Sequence, residues 1–483
     1  MKNPSYNIIK KIGLLTGPLL FLILYNYPSE LVSELADPVI AVAAWMIVWW
    51  ITEAVSISIT ALIPLVIFPL INIADMKTVA ASYGSPIVFL FFGGFVMALA
   101  LEKVNLHKRI ALKIIQLTGT SPDKVILGFM IATALLSMWI SNTATTVVML
   151  PIALSVINLL INDEDGFTQK DQNFALSIML GIAFSANVGG IATIIGTPPN
   201  TIMIGYLESE FDMQISFLDW MKIGLPFSLI MLFVIYFVLV KIVYPNKLGQ
   251  IDTSKDLIDH ELKKLGPLSK KEIRVLIVFA ITIFLWISRI YIADYLPFIT
   301  LSDAGISMLA AFALFTIPFE FSNGTFTLNW EDTVKLPWGI LILFGGGLAL
   351  ASGLSSAGVI DLIGNTIAEN KNWSILLVTV LLITILLFMT ELMSNVALVA
   401  IFCPVVAGIG IGLEINILHV LIPVTMAASC AFMLPMATPP NAIVFASGYI
   451  KVHEMVKAGI ILNVISILIL IGFSAFIIPL LFQ

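Results

Sequence analysis

The sequence predicts an all-α polytopic membrane protein with about eleven transmembrane helices, arranged as two inverted-topology repeats that each contain a re-entrant hairpin and a broken helix. Three observations predict it. Of 483 residues, 59% are hydrophobic and only 11% charged, against about a quarter charged in ordinary soluble domains. Apolar stretches of roughly twenty residues, long enough to cross a ~30 Å hydrocarbon core, recur from end to end. Three landmarks then occur twice in the same order. "FFGGFVMALALEKVNL" from Phe91 matches "LFGGGLALASGLSSAG" from Leu343, "ISNTATTVVMLP" matches "MSNVALVAIFCP", and "GTPPN" matches "ATPPN".

Residues 1–36 form a cytoplasmic N-terminus and a first transmembrane helix. The first apolar stretch follows Lys10 and Lys11 but is not followed by a small-residue cleavage site, so it is read as a retained helix. Lys2, Lys10 and Lys11 precede it and the next loop carries acids without a base, which places the N-terminus in the cytoplasm by the positive-inside rule. Residues 37–244 make up the first repeat, with scaffold helices, an interfacial helix, a hairpin and a broken helix. Residues 245–271 are a cytoplasmic connector, in the stretch from Pro245 to Arg274 that contains seven Lys and Arg. Residues 272–483 repeat the plan, and an odd number of spans leaves the C-terminus outside. Each repeat has an odd number of spans, hence the opposite orientation of the two.

Within each repeat the glycine-rich landmark is followed by an amphipathic segment. "EKVNLHKRIALKIIQLTG" from Glu102 is too charged to span and should lie along the interface, and "VIDLIGNTIAENKNW" from Val359 is its counterpart. The run Val125 to Ile161, free of charge, is too long for one span and too short for two. It suits a hairpin that turns at Ser141 to Thr143. Ser374 to Leu413, interrupted only by Glu391, suits a second turning at Ser394 to Val396. An outgoing helix begins there with unpaired N–H groups and the positive end of its dipole, so Ser, Asn and Thr serve as caps and as donors to an anion. Two successive prolines in each TPPN motif break a helix and restart it. The freed carbonyls of Gly196 and Ala437 then suit a hard cation. Ser137 and Thr390 stand one turn before Ser141 and Ser394, on the same face. Each repeat thus offers neutral oxygens suited to sodium.

The simpler reading of any one of these residues is a Ser or Thr bonded back to its own helix, or a small residue that lets helices approach. Duplication of both tip and break argues for the site. An intramembrane enzyme is disfavoured because no Ser–His pair, paired Asp or metal spacing stands at membrane depth, and the four His are scattered. Cys403 and Cys430, both in apolar segments, suggest no disulfide. A channel is disfavoured because two tips enclose a site where a pore needs a lining ring. No nucleic-acid partner is expected. Glu53 and Glu391 each follow a Thr, and structural roles are favoured for both, since a carboxylate facing a dianion would oppose its binding.

"WWITEAVSISITALIPLVIFP" from Trp49, the Ser-Asn tips and the TPPN pair together resemble the divalent anion/sodium symporter family of di- and tricarboxylate transporters, over about Trp45 to Gly448. The resemblance implies an elevator-type transporter in the plasma membrane, a homodimer whose protomers divide into a scaffold and a moving transport domain. It implies sodium (Na+) as coupling ion, with Ser137, Ser141, Asn142 and the Gly196 carbonyl at one site and Thr390, Ser394, Asn395 and the Ala437 carbonyl at the other. A dicarboxylate such as succinate, fumarate or malate would lie between the tips, touched by Ser141, Asn142, Thr143, Ser394 and Asn395, with Thr197, Thr438 and Pro439 nearby. Val396 breaks the duplicated SNT pattern at the third tip position. Dicarboxylate exchange, and sodium-coupled citrate or sulfate transport, are the alternatives on the same fold.

Overall fold

The computed structural model describes residues 8–27, 36–119, 121–161, 168–246, 248, 252–295, 300–320, 324–368 and 374–482. The described chain is helical apart from a short antiparallel pair, Pro318–Glu320 with Thr325–Phe326. Seven described helices are long and apolar enough to cross a membrane, among them Met76–Lys103, Gln169–Ile191, Phe217–Val243 and Val452–Leu481. Other apolar helices run only 10–17 residues. These shorter pieces include hairpin arms and parts of broken helices, where the sequence suggested about eleven spans.

The two glycine-rich helices, Pro86–Lys103 and Trp338–Ser356, are where the halves meet. Pro86–Lys103 packs on Asp303–Thr316, and Trp338–Ser356 on Met76–Tyr83. A Cβ added at Gly93 would stand 2.6 Å from the Ser307 backbone, and one at Gly346 would stand 2.1 Å from the Ala61 carbonyl. Helices this close exclude any side chain, which accounts for glycine at both landmarks. The Phe91 and Phe344 rings seal the contact edge to face, with centroids 4.8 Å apart.

The amphipathic helix Leu106–Thr118 opens at Asn105 in the left-handed region (φ 59°) and stops at Gly119 (φ 108°). It packs between the arm Pro122–Ser137 and the connector helix Asp252–Lys264. Its counterpart Val359–Ala368 packs on Asn395–Gly412. Residues 369–373 of the expected segment, the termini and the loop 28–35 used to orient the chain lie outside the described residues.

Ions clamp the connector onto this helix. Lys108 pairs with Glu261 at 2.9 Å, and Gln116 Nε2 donates to Asp259 at 2.6 Å. Arg109 binds Glu272 at 2.6 Å and donates to the carbonyls of Leu265 and Gly266. Lys264 and Lys108 hold the Glu261 carboxyl down to about 2. Its folded value is depressed, so its share of the clamp is complete above the ordinary glutamate range and fades as pH falls toward 2. Arg109→Ala strands the buried Glu272 carboxylate, a change of about 3 kcal/mol. Hydrogen exchange at residues 265–272 should then speed up at least tenfold, as read by mass spectrometry.

Glu53 stands at the end of Ala36–Thr52 with φ 46° and pairs with Lys10 at 3.0 Å. Its carboxylate therefore links the first two helices.

Candidate functional site

The first hairpin runs in along Pro122–Ser137 and out along Asn142–Ile161. The second runs in along Ile375–Met389 and out along Asn395–Gly412. The turns therefore occupy Met138–Ser141 and Thr390–Ser394, a few residues earlier than the sequence suggested. Asn142, Thr143, Asn395 and Val396 already belong to the outgoing helices. At the first tip the reason is capping: Ser141 Oγ accepts from the Ala144 N–H at 3.2 Å, so the helix starts immediately after Ser141, whereas Ser394 stands at the matching place without a side-chain cap bond.

Both TPPN motifs break a helix as expected. Gln169–Ile191 stops and Pro198–Phe211 begins after Thr197, while Leu418–Ala428 stops and Pro439–Phe445 begins after Thr438. Thr438 Oγ1 caps the Asn441 N–H at 3.4 Å. The asparagine that ends each motif, to which the sequence reading gave no role, bonds the turn that the prolines leave open. Asn200 Nδ2 donates to the Thr193 carbonyl at 2.9 Å and to those of Gly190 and Ile191 at 3.3 Å. Asn441 Nδ2 donates to the carbonyls of Ala431 and Leu434, each at 3.1 Å. The signal was the Asn itself, present at the same place in both copies.

At the first break, oxygens from three elements converge. Ser137 Oγ lies 2.5 Å from Asn142 Oδ1 and donates to the Ala186 carbonyl at 2.8 Å. A Cβ added at Gly190 would stand 2.6 Å from Asn142 Oδ1 and 3.0 Å from the Gly196 carbonyl oxygen. Asn142 Oδ1, bonded by Ser137 Oγ, and the Gly196 carbonyl therefore face one small space that only glycine at 190 leaves open. Thr193 Oγ1 donates to the Met138 carbonyl at 2.5 Å and ties the break to the tip. Among the described residues the amide oxygens of Asn187 and Asn200 are buried and accept no hydrogen bond. Neutral oxygens of this kind fit a sodium ion.

The second break is built differently. Thr390 Oγ1 donates to the Ala428 carbonyl at 2.6 Å, much as Ser137 does to Ala186. Glu391, only 3% exposed, takes its N–H donors from the unwound stretch. Its Oε1 accepts from Phe432 at 2.8 Å and Met433 at 3.0 Å, and its Oε2 from Met433 and Leu434 at 3.1 Å. Asn463 Nδ2 adds a further bond at 2.8 Å. These bonds tie the tip of the second hairpin to the unwound stretch of the second break.

The halves interlock at the site. Asn142–Ile161 packs on Pro439–Phe445, and Asn395–Gly412 packs on Pro198–Phe211. Asn187 Nδ2 donates to the Ala431 carbonyl at 3.0 Å and to Asn441 Oδ1 at 3.3 Å. Ser137, Gly196, Thr197, Thr390, Ala437 and Thr438 are buried, and Ser141, Asn142, Ser394 and Asn395 are half-buried. At the third tip position Thr143 is exposed and Val396 is packed in the apolar core, so the two tips present different surfaces. A cavity of about 430 Å³ beside the first tip is lined by Ala144, Val147, His107, Lys103 and Lys335.

Comparison with known proteins agrees with this architecture. The family profile of the sodium:sulfate symporter transmembrane region matches residues 10–482. The sodium-dependent dicarboxylate transporter SdcS of Staphylococcus saprophyticus is 38% identical, covering 99% of this chain and 93% of the relative. SdcS of Staphylococcus aureus is 37% identical with the same coverage. Among solved structures, the Neisseria gonorrhoeae efflux pump MtrF aligns with a TM-score of 0.54 at 14% identity over 84% of this chain and 83% of its own. The Alcanivorax borkumensis transporter YdaH aligns with a TM-score of 0.56 at 10% identity over 83% of this chain and 90% of its own. At that identity the two share the fold and nothing narrower. Matched along nearly its whole length, the chain belongs to the sodium:sulfate symporter family, the divalent anion/sodium symporters that its duplicated motifs resemble.

Proposed function

We propose that this protein is a sodium-coupled symporter that carries C4-dicarboxylates such as succinate, fumarate and malate across the plasma membrane. The observation that carries this reading is the convergence of Asn142 Oδ1 and the Gly196 carbonyl beside Gly190, with Ser137 Oγ bonded to Asn142. Three neutral oxygens without a basic side chain hold a monovalent cation, and that cation together with helix N-termini then holds a dianion. The relatives named as sodium-dependent dicarboxylate transporters support the choice of ion and substrate. On this reading sodium binds at Ser137, Ser141, Asn142 and Gly196 and again at Thr390, Ser394, Asn395 and Ala437. The substrate carboxylates face the N-termini that start at Asn142 and Asn395, with Thr143, Thr197, Thr438 and Pro439 around them.

Interlocking of tips and breaks from both halves supports an elevator. A site held together by Asn187, Ala431 and Asn441 changes sides most simply by travelling as one body against a fixed scaffold. The two halves run in opposite orientations, the N-terminus is cytoplasmic and the C-terminus outside, and the scaffold forms the homodimer contact. A thermal-shift assay on the purified protein tests the coupling. Succinate at a hundred times its Kd should stabilise the protein by about 2.7 kcal/mol in sodium chloride and not measurably in choline chloride. Equal stabilisation in both salts would point to an exchanger.

The difference between Thr143 and Val396 leads to a second expected result. A neutral hydrogen bond is worth about 0.5–1.5 kcal/mol, so Thr143→Val at the exposed tip should weaken the apparent dicarboxylate affinity roughly three- to tenfold and shift the ranking of C4 acids against citrate, while Val396→Thr, inside the apolar core, should lower stability and leave the affinity unchanged. Competition against labelled succinate reads this directly. An unchanged affinity for Thr143→Val would remove the third tip position from the substrate site.

A further inference from the structure

The helices Lys270–Tyr295 and Asp303–Thr316 pack against each other and leave beside their contact a cavity of about 530 Å³. Its walls are aliphatic, with Ile277, Ile281 and Leu285 on one side and Leu309, Ala313 and Ile317 on the other. It opens outward as a groove: Ile273, Ile277, Ile281 and Leu309 are exposed. One end differs. Lys270 and Arg274 stand there, one helical turn apart on the same face. Arg274 is anchored by a hydrogen bond from Nη1 to the Pro318 carbonyl, which occupies one of its five donors. Among the described residues Lys270 has no ion-pair partner. A second cavity, of about 420 Å³, lies beside this end and shares Thr327 with the first. It is polar, lined by Ser269, Lys271, Thr325, Asn329 and by Lys103, whose amine is held by Asp332 at 2.6 Å. Among the described residues no Asp or Glu lines either cavity.

An apolar channel that ends in fixed positive charge matches an amphiphile with an anionic head. Its depth fits as well. From Ile273 to Leu285 the wall rises about 18 Å at 1.5 Å per residue, close to one leaflet of a ~30 Å hydrocarbon core. A transmembrane helix from another protein would need apolar walls through the whole core. A zwitterionic head would bring its own ammonium against Lys270 and Lys271, so a net negative head is favoured. We propose that this groove binds an anionic phospholipid: an acyl chain lies along Ile277, Ile281 and Leu309, the phosphate meets Lys270 and Arg274, and the rest of the head enters the polar cavity toward Lys271. Asp303–Thr316 also carries Ser307, the residue that stands against Gly93. An occupied groove therefore braces the helix on which Pro86–Lys103 packs.

The test reads binding itself and does not depend on transport. Full-length protein, delipidated in mild detergent and titrated with phosphatidylglycerol or phosphatidylcholine, is followed by native mass spectrometry, which counts bound lipids and copies of the chain. Wild type should bind its first phosphatidylglycerol at least tenfold more tightly than phosphatidylcholine, because each basic side chain near the phosphate adds to the attraction. Lys270→Gln combined with Arg274→Gln should remove that preference. Phosphatidylglycerol should also raise the melting temperature of wild type and not that of the paired variant. Lys124→Gln, which removes an exposed charge from the first hairpin arm, should leave the affinity within about twofold. Ala313→Trp, which fills the channel and keeps every charge, should weaken both lipids and so separates seating in the groove from attraction to surface charge. If the paired variant is not recovered folded, because the Pro318 carbonyl loses its donor, Lys270→Gln and Ala313→Trp carry the test, with about a fivefold loss expected from the single charge. Equal affinity for the two lipids, or the same loss in Lys124→Gln as in Lys270→Gln, overturns the site. Variants that change the fraction of dimer and leave lipid binding untouched overturn it as well, and assign the face to a second copy of the chain.

Discussion

Gly190→Ala is expected to abolish sodium-driven dicarboxylate uptake. The added methyl would stand 2.6 Å from Asn142 Oδ1 and 3.0 Å from the Gly196 carbonyl oxygen, inside the space those oxygens enclose. Backbone and a half-buried tip residue have little room to yield, so the cation is displaced or its ligands are spread. Loss of two or more ligand contacts should lower uptake roughly a hundredfold, equivalent to about 2.7 kcal/mol. Gly472→Ala is the control, because a Cβ there meets nothing within 4 Å. Transport rates in proteoliposomes, compared at equal protein and with melting temperature recorded, give the result. A Gly190→Ala protein that transports at the wild-type rate would remove the first break from sodium binding.

If the site travels as proposed, a covalent link between the first hairpin and the segment before Trp338–Ser356 is expected to stop transport and spare binding. Val147 on the outgoing arm and Lys335 before the second glycine-rich helix line the same cavity. Val147→Cys paired with Lys335→Cys and joined by a bifunctional thiol reagent would span the gap that must change if the site travels. The native cysteines, Cys403 and Cys430, are buried and free, so they compete little for the reagent. Uptake should fall to background and return when a cleavable linker is cut. Stabilisation by succinate in sodium should persist in the linked protein. Full transport with the link in place would exclude an elevator.

The parts of the site set by local chemistry were legible in the sequence. Paired prolines stop a helix wherever they stand, and a Ser-Asn pair between two apolar runs marks a turn, which Ser141 also caps, so the breaks at Thr197 and Thr438 and both hairpins could be read directly. The tips were placed a few residues late because Ser141 and Ser394 precede the outgoing helices, so that Asn142 and Asn395 are already helical. The glycines of the landmarks signalled close approach but not to what: Ser307 lies opposite Gly93, and Ala61 opposite Gly346.

Long-range pairings were the part that periodicity does not encode. Nothing local links Glu391 to the amides of Phe432 to Leu434, or Asn187 to Asn441. The same holds for the connector clamp, where Arg109 meets Glu272 far along the chain. Duplication of Asn in the two TPPN motifs was the one usable hint, and it points to the carbonyls those side chains now bind.

Sodium coupling is tested most directly by uptake of labelled succinate into proteoliposomes that contain the purified protein, with an inward gradient of either sodium or choline. The account predicts accumulation above the external concentration with sodium, lost when Asn142 or Asn395 is replaced by alanine, and no accumulation with choline. Equal uptake from the two salts, untouched by either substitution, would contradict it.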